Sequence, residues 1–149
     1  MNMSEHHAKI YWERKSPDFV YETYDRSHKV TFGGGLSLLA SAAPDFKGRP
    51  DQVNPEEMLA ASAASCHMLT FLAVAAKSRL VVNSYEDQAT AILEQKEGLW
   101  VVTKIILKPK VVFENPTPSV EKLESLHQKA HKNCIIANSI QSQIVWETR

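Results

Sequence analysis

The sequence predicts an α+β domain: strands toward both ends of the chain and a long apolar helix between them. Two observations carry this. Short runs of β-branched and aromatic residues fill the first forty positions and return between Val81 and Phe113. Between them, Met58 to Ala76 contains no charged residue. With 149 residues, 1–149 is expected to form a single domain able to bury a sizeable core.

Ile10-Tyr11-Trp12-Glu13 and Phe19 to Tyr24 read as the first two strands, with Ser16-Pro17-Asp18 as the turn between them. Val30-Thr31-Phe32 runs into Gly33-Gly34-Gly35, a turn needing unusual backbone angles. Leu36 to Ala42 is a further strand, and Pro44 to Val53 a loop. Asn54-Pro55-Glu56-Glu57 then opens a helix. Asn54 caps it, Pro55 suits the first helical position, and Glu57 stands where a capping box needs an acid.

That helix is apolar or small nearly all round, the pattern of a buried helix. Ser62, Ser65, His67 and Thr70 lower its hydrophobicity and no basic border flanks it, so no membrane span is expected. One small domain hardly covers such a helix on every side, so a partner chain is expected to help. The small residues Ala60 to Ser65 would let a second backbone approach. Two long strands follow, Val81 to Glu94 and Leu99 to Phe113, joined at Lys96-Glu97-Gly98. Thr117-Pro118 opens a second helix with the stripe Val120, Leu123, Ala130 and Cys134, Leu126 beside it. Ile135 to Ile140 suggests another helical turn, and Gln143 to Glu147 a last strand.

Lys+Arg and Asp+Glu balance at 17 each, which gives no field to attract nucleic acid or an anionic membrane. Met1 to His7 is polar and lacks the apolar run of a secretory signal, so a cytoplasmic protein is expected. Two cysteines are too few for a disulfide scaffold, and taken alone they read as two buried thiols. Cys66 sits mid-helix, too far from the helix start to gain from its dipole. Burial by itself would leave it inert, so a cation must come from elsewhere in the fold. Cys134 ends the second helix, where the negative dipole end suits a resolving thiol better than an attacking one; a new helix starting at Ile135 would reverse that.

Asn54-Pro55-Glu56-Glu57-Met58-Leu59-Ala60-Ala61 followed by Cys66 resembles the corresponding segment of the OsmC/Ohr family of peroxide-detoxifying proteins. Cys134, ending a helix and followed by Ala137-Asn138-Ser139, is similar too, as is the order of elements. The resemblance implies an OsmC-like fold, antiparallel sheets around a long buried central helix, in an intertwined homodimer. It implies a peroxidase acting on organic hydroperoxides, with Cys66 the peroxidatic and Cys134 the resolving thiol. Glu56 matches an acid that orients a catalytic arginine through a two-pronged salt bridge. Arg26 occupies the arginine's place in the Ohr branch and Arg49 its place in the OsmC branch; the spacing favours Arg26. No bound cofactor is implied, and an external dithiol, typically a lipoyl group on another protein, would regenerate the enzyme. The apolar neighbours Met68, Leu69 and Phe71 would suit fatty or aromatic hydroperoxides.

Departures accompany the resemblance. His67 stands where many relatives carry an aromatic residue, Ile135-Ile136 replaces a common proline, and His28, His127 and His131 enlarge the histidine set. His127 and His131, four apart on one helix face with Cys134 three further on, could present ligands to zinc. The plainer reading makes that pair a solvated or dimer-edge feature. A third possibility is a non-catalytic protein that holds a hydrophobic ligand, with both cysteines as passengers.

Overall fold

The computed structural model describes residues 2–149, which divide after Met58 into two compact units. In the first, β1 (Ala8–Tyr11), β2 (His28–Phe32) and β3 (Ser37–Ala40) form an antiparallel sheet in that order. The glycine turn closes the β2–β3 hairpin: Phe32 N–H donates to Leu36 O at 2.8 Å, and Gly35 adopts φ 91°. Val53 pairs in parallel with Ala40, which returns the chain alongside β3.

The strand expected over Phe19 to Tyr24 does not form. That segment is irregular, with a turn in which Thr23 and Tyr24 N–H donate to Val20 O at 3.2 and 3.0 Å. Its aromatic side chains pack on one another instead of on a sheet: Phe19 lies 5.8 Å from Trp12 and 5.1 Å from Tyr24, ring centre to ring centre. The propensity was real, but clustering of aromatics satisfied it without a strand partner.

Helix α1 (Pro55–Lys77) opens on the anticipated capping box. Glu57 N–H donates to Asn54 Oδ1 at 2.8 Å, and Asn54 N–H to Glu57 Oε2 at 3.1 Å. By length and composition α1 is long and apolar enough to cross a membrane, but it carries one buried stripe, Ala60, Ala63, His67, Phe71 and Ala75, at helical spacing. Leu69, Ala73 and Ala76 on the other side are exposed in the single chain.

In the second unit, β4 (Val82–Glu86) pairs with β7 (Lys110–Phe113), and β5 (Thr90–Lys96) with β6 (Leu99–Leu107), all antiparallel. The two long strands expected here are thus four. Asp87-Gln88-Ala89 interrupts the first and Lys108-Pro109 the second, where Pro109 has no N–H for a ladder. Asp87 Oδ1 accepts from Lys108 N–H at 2.7 Å and ties the two breaks together. The β5–β6 hairpin turns on Glu97 (φ 51°) and Gly98 (φ 78°), a two-residue turn with both angles positive.

Helix α2 (Val120–Asn133) starts two residues later than Thr117-Pro118 suggested; Ser119 is the cap and its Oγ accepts from Lys122 N–H at 3.1 Å. Val120, placed on the buried stripe from the sequence, is 79% exposed. The final strand, β8 (Gln143–Trp146), lies parallel to β6, with Ile105 opposite Ile144, so the sheet is mixed. The intervening β7 and α2 act as the crossover that parallel pairing requires.

Two apolar clusters share α1. Phe71 and Ala75 pack with Phe113, Leu126 and Ala130, while Ala63 packs with Ile105, Leu107 and Ile144. His67 stands on the same stripe, one turn from each.

Candidate functional site

Cys66 and Cys134 lie near enough in the second unit to act on each other electrostatically, both as free thiols. α1 supplies the first from mid-helix. Cys134 comes from the C-cap of α2, where the backbone leaves the helix at φ −73°, ψ 116°. Residues 135–139 then form consecutive turns, with Asn138 N–H donating to Cys134 O at 3.1 Å. Ala137 N–H donates to Cys134 Sγ at 3.4 Å.

The two thiols are electrostatically unequal. Partial burial pushes the Cys66 thiol up, but the N–H of Ile136, the Cys134 thiol, the N–H of Ile135 and the Thr70 hydroxyl together bring it below the ordinary value. Thr70 Oγ1 already donates to Cys66 O at 2.8 Å, so its single proton gives the sulfur the least help. Cys134 is 1% exposed, and burial together with Cys66 drives its thiol above the ordinary value. A cleft of about 480 Å³ opens on Cys66, lined by Ser62, Ser65, Leu69, Thr70, Ala73, Ile135 and Ile136.

Arg26, Glu56 and Arg49 belong to the first unit. Arg26 is 9% exposed; its guanidinium lies 3.9 Å from the Tyr24 ring centre and donates to the carbonyls of Tyr24 at 2.8 Å and Tyr21 at 2.6 Å. The salt bridge expected between Arg26 and Glu56 is not formed among the described residues. Tyrosine carbonyls occupy the guanidinium instead, and Glu56 Oε2 is buried without a hydrogen-bond partner. Arg49 is held on both sides of its fork by Asp51, at 3.0 and 2.9 Å. Around Arg26, a cleft of about 630 Å³ is walled by Ile10, Trp12, Phe19, Tyr21 and Tyr24. His28 Nδ1 lies 2.9 Å from Arg26 O at its edge.

The histidines contradict the solvated-pair expectation. His127 is fully buried, its Nδ1 lies 3.0 Å from His67 Nε2, and the two rings are 7° from parallel. Trp146 flanks them and His131, and donates through Nε1 to Glu124 Oε2 at 3.1 Å. The zinc arrangement fails geometrically: among the described residues no three His, Cys, Asp or Glu side chains are grouped to hold a metal. The His67–His127 pair was missed from sequence, although His67 falls in phase with Ala60, Ala63, Phe71 and Ala75. The amides of Ile135 and Ile136 were missed too; a backbone donor leaves no side-chain signature beyond the absence of proline.

The family profile described as OsmC-like protein matches residues 48–149. The chain belongs to that family. A solved OsmC-like protein of unknown function from Vibrio cholerae is 44% identical, with 99% of this chain and 100% of that one covered and a TM-score of 0.91. The uncharacterized protein YmaD of Bacillus subtilis is 28% identical over 113 residues, 74% of this chain and 75% of its own. An organic hydroperoxide resistance protein from Elizabethkingia anophelis shares the fold at 19% identity and a TM-score of 0.75, over 99% of this chain and 95% of its own. This OsmC-like chain therefore has the expected α+β fold, with one parallel strand pair in its sheets.

Proposed function

We propose that this OsmC-like chain is a thiol peroxidase that reduces organic hydroperoxides to alcohols. The observation carrying the reading is the nearness of two unequal thiols, the Cys66 thiol brought below its ordinary value and the Cys134 thiol pushed above it. The Cys66 thiolate attacks the distal peroxide oxygen, the O–O bond breaks, and the alkoxide leaves as alcohol after taking a proton. Cys66 becomes a sulfenic acid. Cys134 then attacks that sulfur, water leaves, and a disulfide forms before further oxidation. An external dithiol, of lipoyl type, reduces the disulfide by exchange, becoming a disulfide itself and returning two thiols.

The apolar walls contributed by Leu69, Ala73, Ile135 and Ile136 favour an alkyl or aryl hydroperoxide over hydrogen peroxide. Solved proteins of this fold include ones named for organic hydroperoxide resistance, which supports the same class. We assign Arg26, rather than the Asp51-bound Arg49, to hydrogen-bonding the peroxide oxygens, with Glu56 orienting it. A homodimer would cover the exposed apolar side of α1, and two free thiols suit a reducing cytoplasm. Consumption of tert-butyl hydroperoxide by the reduced protein tests the proposal. Wild type should consume it with dithiol turnover, Cys66→Ser none, and Cys134→Ser one equivalent before stalling. Equal consumption by wild type and Cys66→Ser would overturn it.

The aromatic cleft at Arg26 favours one second reading, a ligand-binding protein without peroxidase activity. That reading predicts hydroperoxide binding by Cys66→Ser and no consumption by wild type.

A further inference from the structure

A polar pair in an apolar interior gives up its hydrogen bonds to water, so it adds little stability over a well-packed apolar pair. What it adds is direction, because a hydrogen bond between two elements tolerates little sliding of one on the other. His67 of α1 and His127 of α2 are such a pair. Their own chain buries both, at 1% and 0% exposure, and a bond of 3.0 Å joins Nε2 of the first to Nδ1 of the second. Aromatic rings enclose them: Phe71 lies 4.5 Å from His127, and Trp146 lies 5.7 and 6.2 Å from His67 and His127, ring centre to ring centre. Ala63 and Phe71, one turn before and after His67, belong to separate apolar clusters.

Both histidines are tied to the cysteines through the helices. His67 follows Cys66 directly, and Cys134 comes seven residues after His127, about two turns and ~10 Å along α2. Cys134 is the residue on which α2 ends, so any slide or rotation of α2 on α1 carries its sulfur along. Ile135 and Ile136, which follow it, line one cleft with Cys66, so the end of α2 lies beside that thiol. A disulfide forms only with its two Cα atoms about 4.4–6.8 Å apart, a window narrower than one helical turn. We propose that His67 and His127 are positioning residues for disulfide formation: their hydrogen bond fixes α2 on α1 so that Cys134 reaches an oxidised Cys66. Apolar contacts between the helices tolerate repacking and set no such register. Without the bond, a Cys66 sulfenic acid waits longer, and a second hydroperoxide converts it to sulfinic acid with release of a second alcohol. The inference rests on the reading of Cys66 and Cys134 as the reacting pair.

Glutathione disulfide, added to the reduced full-length protein, separates disulfide closure from peroxide chemistry. Cys66 Sγ attacks it and one glutathione leaves. Cys134 Sγ then attacks Cys66 Sγ, the second glutathione leaves, and the two thiol protons pass to the glutathiones. Peptide masses followed over time give the rates of adduct formation and of closure. His67→Phe/His127→Phe removes the bond and keeps apolar bulk, whereas His67→Gln/His127→Asn keeps amide groups at the places of Nε2 and Nδ1. The Gln/Asn protein should close within about two-fold of wild type and the Phe/Phe protein about ten-fold more slowly, both forming the first adduct at the wild-type rate. Equal closure by the Phe/Phe and wild-type proteins would overturn the proposal. So would slow closure by the Gln/Asn protein, which decides the matter even where circular dichroism shows the Phe/Phe protein unfolded. With excess tert-butyl hydroperoxide, the Phe/Phe protein should carry more Cys66 sulfinic acid than wild type. Hydroperoxide consumption is scored separately: bond-dependent closure without consumption keeps the positioning pair and removes the peroxidase.

Discussion

His67 Nε2 and His127 Nδ1 lie 3.0 Å apart in the interior, so the helix that carries Cys66 is joined to the helix that ends at Cys134 by a hydrogen bond between imidazoles. The bond sits where the two apolar clusters of the second unit meet along α1. Burial lowers both rings to about 4 from the ordinary 6.5, and the charges of His127 and His131 add to this at His67, whereas Glu124 opposes it at His127.

The sign of the pH effect follows. Unfolded rings take up protons near pH 6.5, folded ones only near 4, so the unfolded state binds more protons between those values. The pair's contribution is complete above 6.5 and is lost as pH falls toward 4, by about 3 kcal/mol per ring at most. Urea midpoints at pH 7 and 4.5 should differ strongly for wild type and much less for a His67→Phe/His127→Phe protein. An equal drop in both proteins would assign the acid sensitivity elsewhere.

Arg26→Lys should destabilise the first unit even though charge is kept. A lysine cannot both lie flat on the Tyr24 ring and send two parallel N–H groups to the Tyr21 and Tyr24 carbonyls. A loss of about 1–2 kcal/mol is expected, with faster proteolysis between Trp12 and Arg26. Unchanged proteolysis would show that the aromatic cluster holds itself together.

Gly48→Ala should be more damaging than any surface change. An added Cβ would fall 1.6 Å from the Ala42 carbonyl oxygen, a backbone atom that cannot swing aside. The loop from Ala42 to Val53 must then shift, at a cost of about 2 kcal/mol or more. Thermal melting of the variant measures this, and a midpoint within a degree or so of wild type would refute the close approach.

Leu69→Arg should leave the fold intact, since Leu69 is 61% exposed in the single chain, but should prevent self-association through α1. Sedimentation velocity should show a dimer for wild type and a monomer for Leu69→Arg. A dimeric Leu69→Arg protein would move the interface off this face.

Much of the fold was legible because its signals are local. Asn54 and Glu57 announced a capping box that forms as read, and Gly33 to Gly35 and Glu97-Gly98 turn where glycine permits it. The errors were long-range. Nothing near Asp87 says that its carboxylate will bind Lys108 N–H and break a strand, although Pro109 did argue against one through Phe113. Phe19 to Tyr24 carries strand-type residues that find each other and a guanidinium instead. Within the site, the cysteine pair was legible as a pair. Its electrostatics were not, because they come from burial and from the neighbours that the second helix and the turn after it bring to Cys66, Cys134 among them.

The most direct measurement is the mass of the Cys66 and Cys134 peptides after reduced protein meets one equivalent of tert-butyl hydroperoxide. The account predicts that the two peptides become joined by a disulfide and that Cys66→Ser protein shows no oxidation of Cys134. Two free thiols with the hydroperoxide consumed, or Cys134 oxidised alone in the Cys66→Ser protein, would contradict it.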